Sequence, residues 1–162
     1  VRSSVGDVRA RLRAHRFLDG LDDGAIDLLA GCARLVSYRS GERIAREGDP
    51  ADGLVLVLDG RVAVETHLPR RGTVVLATVE AGGVLGWSWL FPPHHWDFDA
   101  TATTDVDAVL LDAEALRSML ADHPHLDVEL TRRIGRAVTE RLVDARRRLL
   151  DLYAPPSPEL ST

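Results

Sequence analysis

The chain contains no lysine; all twenty of its basic residues are arginine. Alanine, valine, leucine, aspartate and glycine are abundant as well, so this absence reads as compositional bias more than as chemistry. The single cysteine, Cys32, excludes an internal disulfide and favours a reducing compartment. It lies in the apolar run Ile26 to Ala33 with nothing nearby to lower its pKa, so a buried structural thiol is expected. No apolar run approaches the ~18–20 residues of a membrane span. Val1 to Arg16 carries charges throughout and no apolar signal core, so a cytoplasmic protein is expected. The net charge of −5 makes the domain as a whole a poor electrostatic trap for nucleic acid. No Gly-x-Ser-x-Gly, phosphate-binding loop, dinucleotide glycine fingerprint or metal-ligand set is present. A non-enzymatic protein without cofactor or metal is the expectation.

Aromatic residues are also scarce, and their placement is uneven. The three tryptophans fall within ten residues, in Gly86-Trp87-Ser88-Trp89-Leu90-Phe91-Pro92-Pro93-His94-His95-Trp96, with Phe98 two positions on. Tryptophan joins a large apolar surface to a single N–H donor. Such a cluster lines a pocket for a flat or apolar ligand, plugs a pocket with its own side chains, or docks a partner protein. Pro92-Pro93 stiffens the loop. His94-His95, close to Asp97 and Asp99, suggests metal at first sight, but neighbouring residues on an extended segment point to opposite faces. Solvent-facing histidines are the expectation, with a histidinium contact to an anion as the lesser alternative. His15, His67, His123 and His125 are scattered and carry no signal.

The length of 162 residues suits one domain with one core. Residues 1–34 read as helical, broken by Phe17 to Gly24, with Asp22 or Asp23 as N-cap of the second helix. Residues 35–112 alternate short β-branched runs with Gly, Pro and Asp turns, the texture of a sandwich or jelly-roll barrel. Strands are expected at 35–38, 43–45, 54–58, 61–65, 74–79, 99–103 and 107–111. Asp59-Gly60 reads as a tight hairpin and Leu68 to Gly72 as a longer exposed one. Residues 113–153 are helical again: Asp112 caps a short helix from Ala113 to Ala121, and a long helix runs from His125 to Tyr153. Its apolar positions Leu126, Leu130, Ile134, Val138, Leu142, Ala145, Leu149 and Leu152 step by four and three, close to a coiled-coil seam. The tail 154–162 reads as disordered.

This arrangement resembles the cyclic-nucleotide-binding domain of catabolite regulators, cyclic-AMP-dependent kinases and nucleotide-gated channels. Three stretches carry the resemblance: the turn-rich segment Ser40 to Gly53, the central strands Leu56 to Val64 around Asp59-Gly60, and Glu80-Ala81-Gly82-Gly83-Val84-Leu85-Gly86 leading into the phosphate-binding cassette, 82–102. The resemblance implies a mainly β jelly-roll with N-terminal helices and a long C-terminal helix. In the family a glutamate of the cassette binds the ribose and an arginine binds the cyclic phosphate, helped by backbone N–H groups.

This chain departs at both positions. Trp87 stands where the glutamate is expected and Trp96 at or beside the arginine position, and no arginine occurs between Arg71 and Arg117. A phosphate without its arginine loses a charge-assisted bond of about 1.5–3 kcal/mol, and apolar bulk disfavours an anion further. The family's base contacts on the long helix fall near Arg141 and Leu142. The sequence therefore predicts a ligand-sensing regulatory module that does not bind cyclic AMP in the usual way. Its expected pocket is Gly86, Trp87, Ser88, Trp89, Leu90, Trp96, Phe98 and Ala100, and its expected ligand is an unidentified small molecule, apolar or aromatic. The alternatives are an interaction or structural module with a self-filled pocket, and a weak cyclic-nucleotide binder using the N–H groups after Gly86 together with Ser88.

A homodimer is expected through Leu130, Ile134, Val138, Leu142, Ala145 and Leu149. Seven arginines on the long helix (Arg132, Arg133, Arg136, Arg141, Arg146, Arg147, Arg148) interleave with acids, Asp144 and Arg148 forming an i,i+4 pair, which suits a solvated dimer helix better than a phosphate surface. The winged helix-turn-helix of the catabolite regulators does not follow Tyr153, so no DNA binding by this chain is expected.

Overall fold

A computed structural model of the chain describes residues 5–153. The expected tail, 154–162, lies outside them. Helix α1 (Val5–Ala14) is followed by a single 3-10 turn (Arg16–Leu18) and helix α2 (Asp23–Gly31). Asp22 is the N-cap of α2, its carboxylate accepting from the Ala25 N–H at 2.7 Å. Strands β1 (Ala33–Tyr38), β2 (Arg43–Ala45), β3 (Gly53–Asp59), β4 (Arg61–Leu68), β5 (Gly72–Glu80), β6 (Val84–Leu85), β7 (Asp99–Ala102) and β8 (Val106–Asp112) follow, then helices α3 (Ala113–Asp122) and α4 (Pro124–Tyr153). Asp112 caps α3 by accepting from the Ala115 N–H at 2.8 Å. Helix stops and strand starts are tighter than expected: β1 begins at Ala33, with only Cys32 between it and α2. β6, two residues long, has no alternation to betray it in the sequence.

The strands form two four-stranded antiparallel sheets, ordered β1-β8-β3-β6 and β2-β7-β4-β5. This is the expected jelly-roll. The two sheets bury Leu54, Leu56, Val62, Val64, Ala100, Ala102, Val109 and Leu111 between them, and Leu116, Leu126, Leu130 and Ile134 extend that core into α3 and α4.

Asp59-Gly60 is not the hairpin predicted from its sequence. β3 and β4 belong to different sheets and do not pair. Gly60, at φ 88°, carries the chain across from one sheet to the other, and a Cβ there would stand 2.2 Å from the Asp105 carbonyl oxygen. A tight turn fixes a change of direction, and only the partners of the flanking strands decide whether it closes a hairpin or a corner. The longer tip does close a hairpin, with Leu68 opposite Gly72.

The predicted seam of α4 also divides. Leu130 and Ile134 are buried in the chain's own core and are closed to a partner. Ala145 is half-buried, whereas Val138, Leu142 and Leu149 are exposed. The physical reason is that α4 packs its Leu126, Leu130, Ile134 and Ala137 face on the roll. Asp144 approaches Arg147 (3.7 Å) rather than the predicted Arg148, which reaches across to the Leu76 carbonyl at 3.1 Å.

Candidate functional site

The cassette begins where β6 leaves β3. Val55 and Leu56 pair with Leu85 and Val84, and Gly86 then turns the chain at φ 87° into a one-turn 3-10 helix, Trp87–Leu90. A Cβ on Gly86 would stand 2.5 Å from both the Gly53 carbonyl oxygen and Cη2 of Trp96. Glycine is therefore required twice over, for the backbone angle and for the indole that lies against it. The far end of the cassette is pinned to the loop between β2 and β3: the Trp96 N–H donates to Asp49 O, the Gly48 N–H to Trp96 O (both 2.8 Å), and the Ala51 N–H to His94 O (2.7 Å).

The tryptophans take different places. Trp89 is 0% exposed and Trp96 3% exposed, so both are core residues. Phe98 is buried between its neighbours, edge-on to Trp96 at 6.0 Å and to Trp87 at 6.3 Å between ring centroids. Ala100 is buried on β7, Leu90 is half-buried, and Ser88 is buried with its hydroxyl 3.1 Å from Oδ2 of Asp97. The predicted pocket residues thus come together around one folded loop, with most of their volume packed on one another. Trp87 alone of the three indoles is half-buried, at the seam between the cassette and α4.

Sequence reasoning missed what covers Trp87. The Arg141 guanidinium of α4 stacks over the indole at 4.5 Å from the centroid, and its Nη2 donates to the Val84 carbonyl at 2.8 Å. Burial pushes the Arg141 pKa down to about 10, so the group remains a cation at neutral pH. The cassette segment contains no arginine, yet the fold brings one to its edge. The signal was available: Leu130, Ile134, Ala137, Arg141 and Ala145 step by four and three along one helix face, so Arg141 interrupts an otherwise apolar, roll-facing stripe.

Other predicted residues also differ in role. His94, at φ 60°, is half-buried rather than solvent-facing, while His95 is exposed. His15, which carried no signal, is buried and acts as a staple: one ring nitrogen, Nε2, lies 3.0 Å from the Val57 carbonyl and the other, Nδ1, accepts from the Phe17 N–H at 3.2 Å. Only the neutral tautomer protonated on Nε2 serves both contacts. Burial accordingly lowers its pKa, partly opposed by the Val57 hydrogen bond. The Phe17 carbonyl in turn accepts from Arg133 Nη1 of α4 at 2.8 Å. Cys32 is half-buried rather than buried as expected, because it caps the end of α2 beside the core; burial followed by the Asp112 carboxylate raises its pKa.

Comparison with known proteins agrees with this architecture. Residues 35–123 match the cyclic nucleotide-binding domain family, and the chain belongs to that family. Over 120 residues it is 30% identical to a CRP-like cAMP-activated global transcriptional regulator of Mycobacterium tuberculosis, a match covering 74% of this chain and 54% of the relative. The chain thus spans about half the length of that curated relative. A solved protein of Geobacter metallireducens, described as cyclic nucleotide-binding, is 31% identical with a TM-score of 0.74, covering 83% of this chain and 97% of that one. A cyclic nucleotide-binding domain from Methylobacillus flagellatus shares the fold at 22% identity and a TM-score of 0.77, over 94% of this chain and 86% of that one. No helix among the described residues is long and apolar enough to cross a membrane.

Proposed function

We propose that this chain is a non-enzymatic regulatory module that senses a small molecule at a remodelled, tryptophan-lined cassette and passes occupancy to α4. The observation that carries the reading is the stack of Arg141 on Trp87, which puts the cassette and the long helix in direct contact. The M. tuberculosis relative is a cAMP-activated regulator by name; we carry over the regulatory role and not the ligand. Trp96, at or beside the arginine position of the family pattern, is packed against Gly86 where a charged fork would be needed. Ser88, the other candidate phosphate contact, already faces the Asp97 carboxylate, which would repel a phosphate.

A second reading, a module whose cassette is filled by its own side chains, is favoured by the near-complete burial of Trp89 and Trp96. Titration of cyclic AMP and cyclic GMP against intrinsic tryptophan fluorescence separates these readings. No saturable change at micromolar nucleotide is the expected result, and saturable quenching there overturns both. A rise in melting temperature with an apolar metabolite supports the first reading over the second. We further propose a homodimer formed by the exposed apolar residues of the second half of α4. A monomer by light scattering at tens of micromolar chain overturns that part.

A further inference from the structure

Each sheet has two outer strands: β1 and β6 in one, β2 and β5 in the other. An outer strand leaves backbone N–H and C=O groups that a strand from another chain can take. β6 and β2 are two and three residues long, too short to offer much pairing, and β1 carries Arg34 within its six residues. β5 differs from all three. It runs nine residues, Gly72–Glu80, and Thr73-Val74-Val75-Leu76-Ala77-Thr78-Val79 contains neither charge nor proline. Five of those seven residues are β-branched, a composition that favours pairing with a further strand.

Two features keep this edge apart from other chains. The first is a bulge at its centre. Val64 stands opposite Ala77 and Glu65 opposite Val75, so Leu76 has no partner on β4. The alternation of exposure slips there, leaving Val75 (52%) and Leu76 (44%) both exposed. The second is Arg148 of α4, whose Nη1 donates to the Leu76 carbonyl at 3.1 Å. Among the described residues no other side chain hydrogen-bonds the β5 backbone.

The ends of β5 specify what fits it. Arg70 and Arg71 precede the apolar run and Glu80 closes it. Glu80 is engaged only by Arg61 at 3.9 Å, in an exposed contact. In an antiparallel pair of β5 strands centred on Leu76, the arginine end of each copy lies beside Glu80 of the other. A parallel, in-register pair would set arginine on arginine and glutamate on glutamate. The run between the charged ends is self-complementary because it has no charge to misplace.

We propose that the outer edge of β5 is a self-association surface whose partner is β5 of a second copy in antiparallel orientation, and that Arg148 is its guard. While the second half of α4 holds Leu76 the edge is closed. When that half swings away, the two sheets join edge to edge. This surface is separate from the exposed apolar face of α4 that carries Leu142 and Leu149.

The test is run in the Leu142→Asp background, which removes contact through the α4 face, so failure here is separable from failure of the α4 homodimer. Light scattering at tens of micromolar chain should give a single-chain mass for Leu142→Asp and the mass of two chains or more once Arg148→Ala is added. Arg148 is exposed, so its loss should leave the fold and the melting temperature of the single chain unchanged. Amide hydrogen exchange within residues 73–79 should slow about ten-fold or more in the larger species. Adding Val75→Lys should restore the single-chain mass, because lysine on an outer strand opposes edge pairing. Adding Glu80→Arg instead should weaken association about ten-fold, as two opposite-charge pairs become like-charge pairs. An unchanged mass with Arg148→Ala overturns the surface, as does a larger mass without protection of residues 73–79 or one that survives Val75→Lys. Unchanged association in Glu80→Arg overturns the antiparallel orientation. A Leu142→Asp chain larger than one copy while Arg148 is intact overturns the guard.

Discussion

The two halves of α4 are written in the same four-and-three rhythm and have opposite fates. Up to Ala137 the helix is part of the core: Leu126, Leu130 and Ile134 are buried against the roll. Beyond it the roll-facing positions pass to Arg141, Ala145 and Arg148, while Leu142 is 68% and Leu149 56% exposed. Packing on the chain's own sheets ends where the residues facing the roll change from aliphatic to guanidinium. The first half is held by burial, roughly 25 cal/mol per Å² of apolar surface. The second is held by Arg141 on Trp87 and Val84 and by Arg148 on Leu76, interactions that a ligand or a partner can rearrange.

The comparison is broken most severely from the anchored side. Leu130→Ala should cost about 2–5 kcal/mol in chemical denaturation, because it leaves a cavity in a sealed core; a loss under ~1 kcal/mol would mean that the first half is no better anchored than the second. Next in size is Gly86→Ala, which forces both a strained positive φ and a clash with Trp96. A loss of roughly 2 kcal/mol or more is expected, together with a changed tryptophan emission spectrum; unchanged emission would mean that Trp96 does not rest on Gly86.

A smaller effect follows from pH. His15 is neutral in the native chain and its pKa is lowered, first by burial. The unfolded chain, with an ordinary pKa of about 6.5, binds a proton that the native state resists. Stability is therefore complete above about 6.5 and falls as the pH drops toward the lowered native value. Arg16, which opposes protonation, and Asp19, which favours it, are the charges acting on the ring. Protonation of Nδ1 removes the acceptor of the Phe17 N–H, a hydrogen bond worth about 0.5–1.5 kcal/mol. Phe17 is also what Arg133 of the anchored half grips. Melting temperature against pH should show this slope in the wild type and lose it in His15→Ala; a slope persisting in His15→Ala would assign it to other groups.

The smallest effect on the folded monomer is expected from Leu142→Asp, within about 0.5 kcal/mol at so exposed a position. The proposed homodimer, measured by light scattering, should nevertheless fail to form in this variant. Equal destabilisation by Leu142→Asp and Leu130→Ala would erase the distinction between the halves.

What could be read in the sequence was mostly local. Asp22 and Asp112 announce their helices because a cap is an interaction within three residues. The long strands and the Leu68 to Gly72 tip follow from alternation and turn chemistry, whereas β6 is too short to alternate. The tryptophan loop was legible as a cluster, since Trp87, Trp89 and Trp96 fall within ten residues. The stripe showed Arg141 on the roll-facing side of α4 but not that it covers Trp87, which lies more than fifty residues away along the chain. The role of His15 was not legible, since its partner Val57 is forty-two residues on.

The order of amino acids by itself determined the roll, its caps, the place of its tight turns and the gathering of three indoles into one short loop, because each depends on spacing, backbone angles or side-chain type within a short stretch. Only the tertiary structure decided that Asp59-Gly60 is a corner between sheets, that the α4 stripe divides at Ala137, and that an arginine from α4 covers Trp87. A helix period states which residues share a face. Which surface meets that face, and how far along, is set by where the two sheets come to lie.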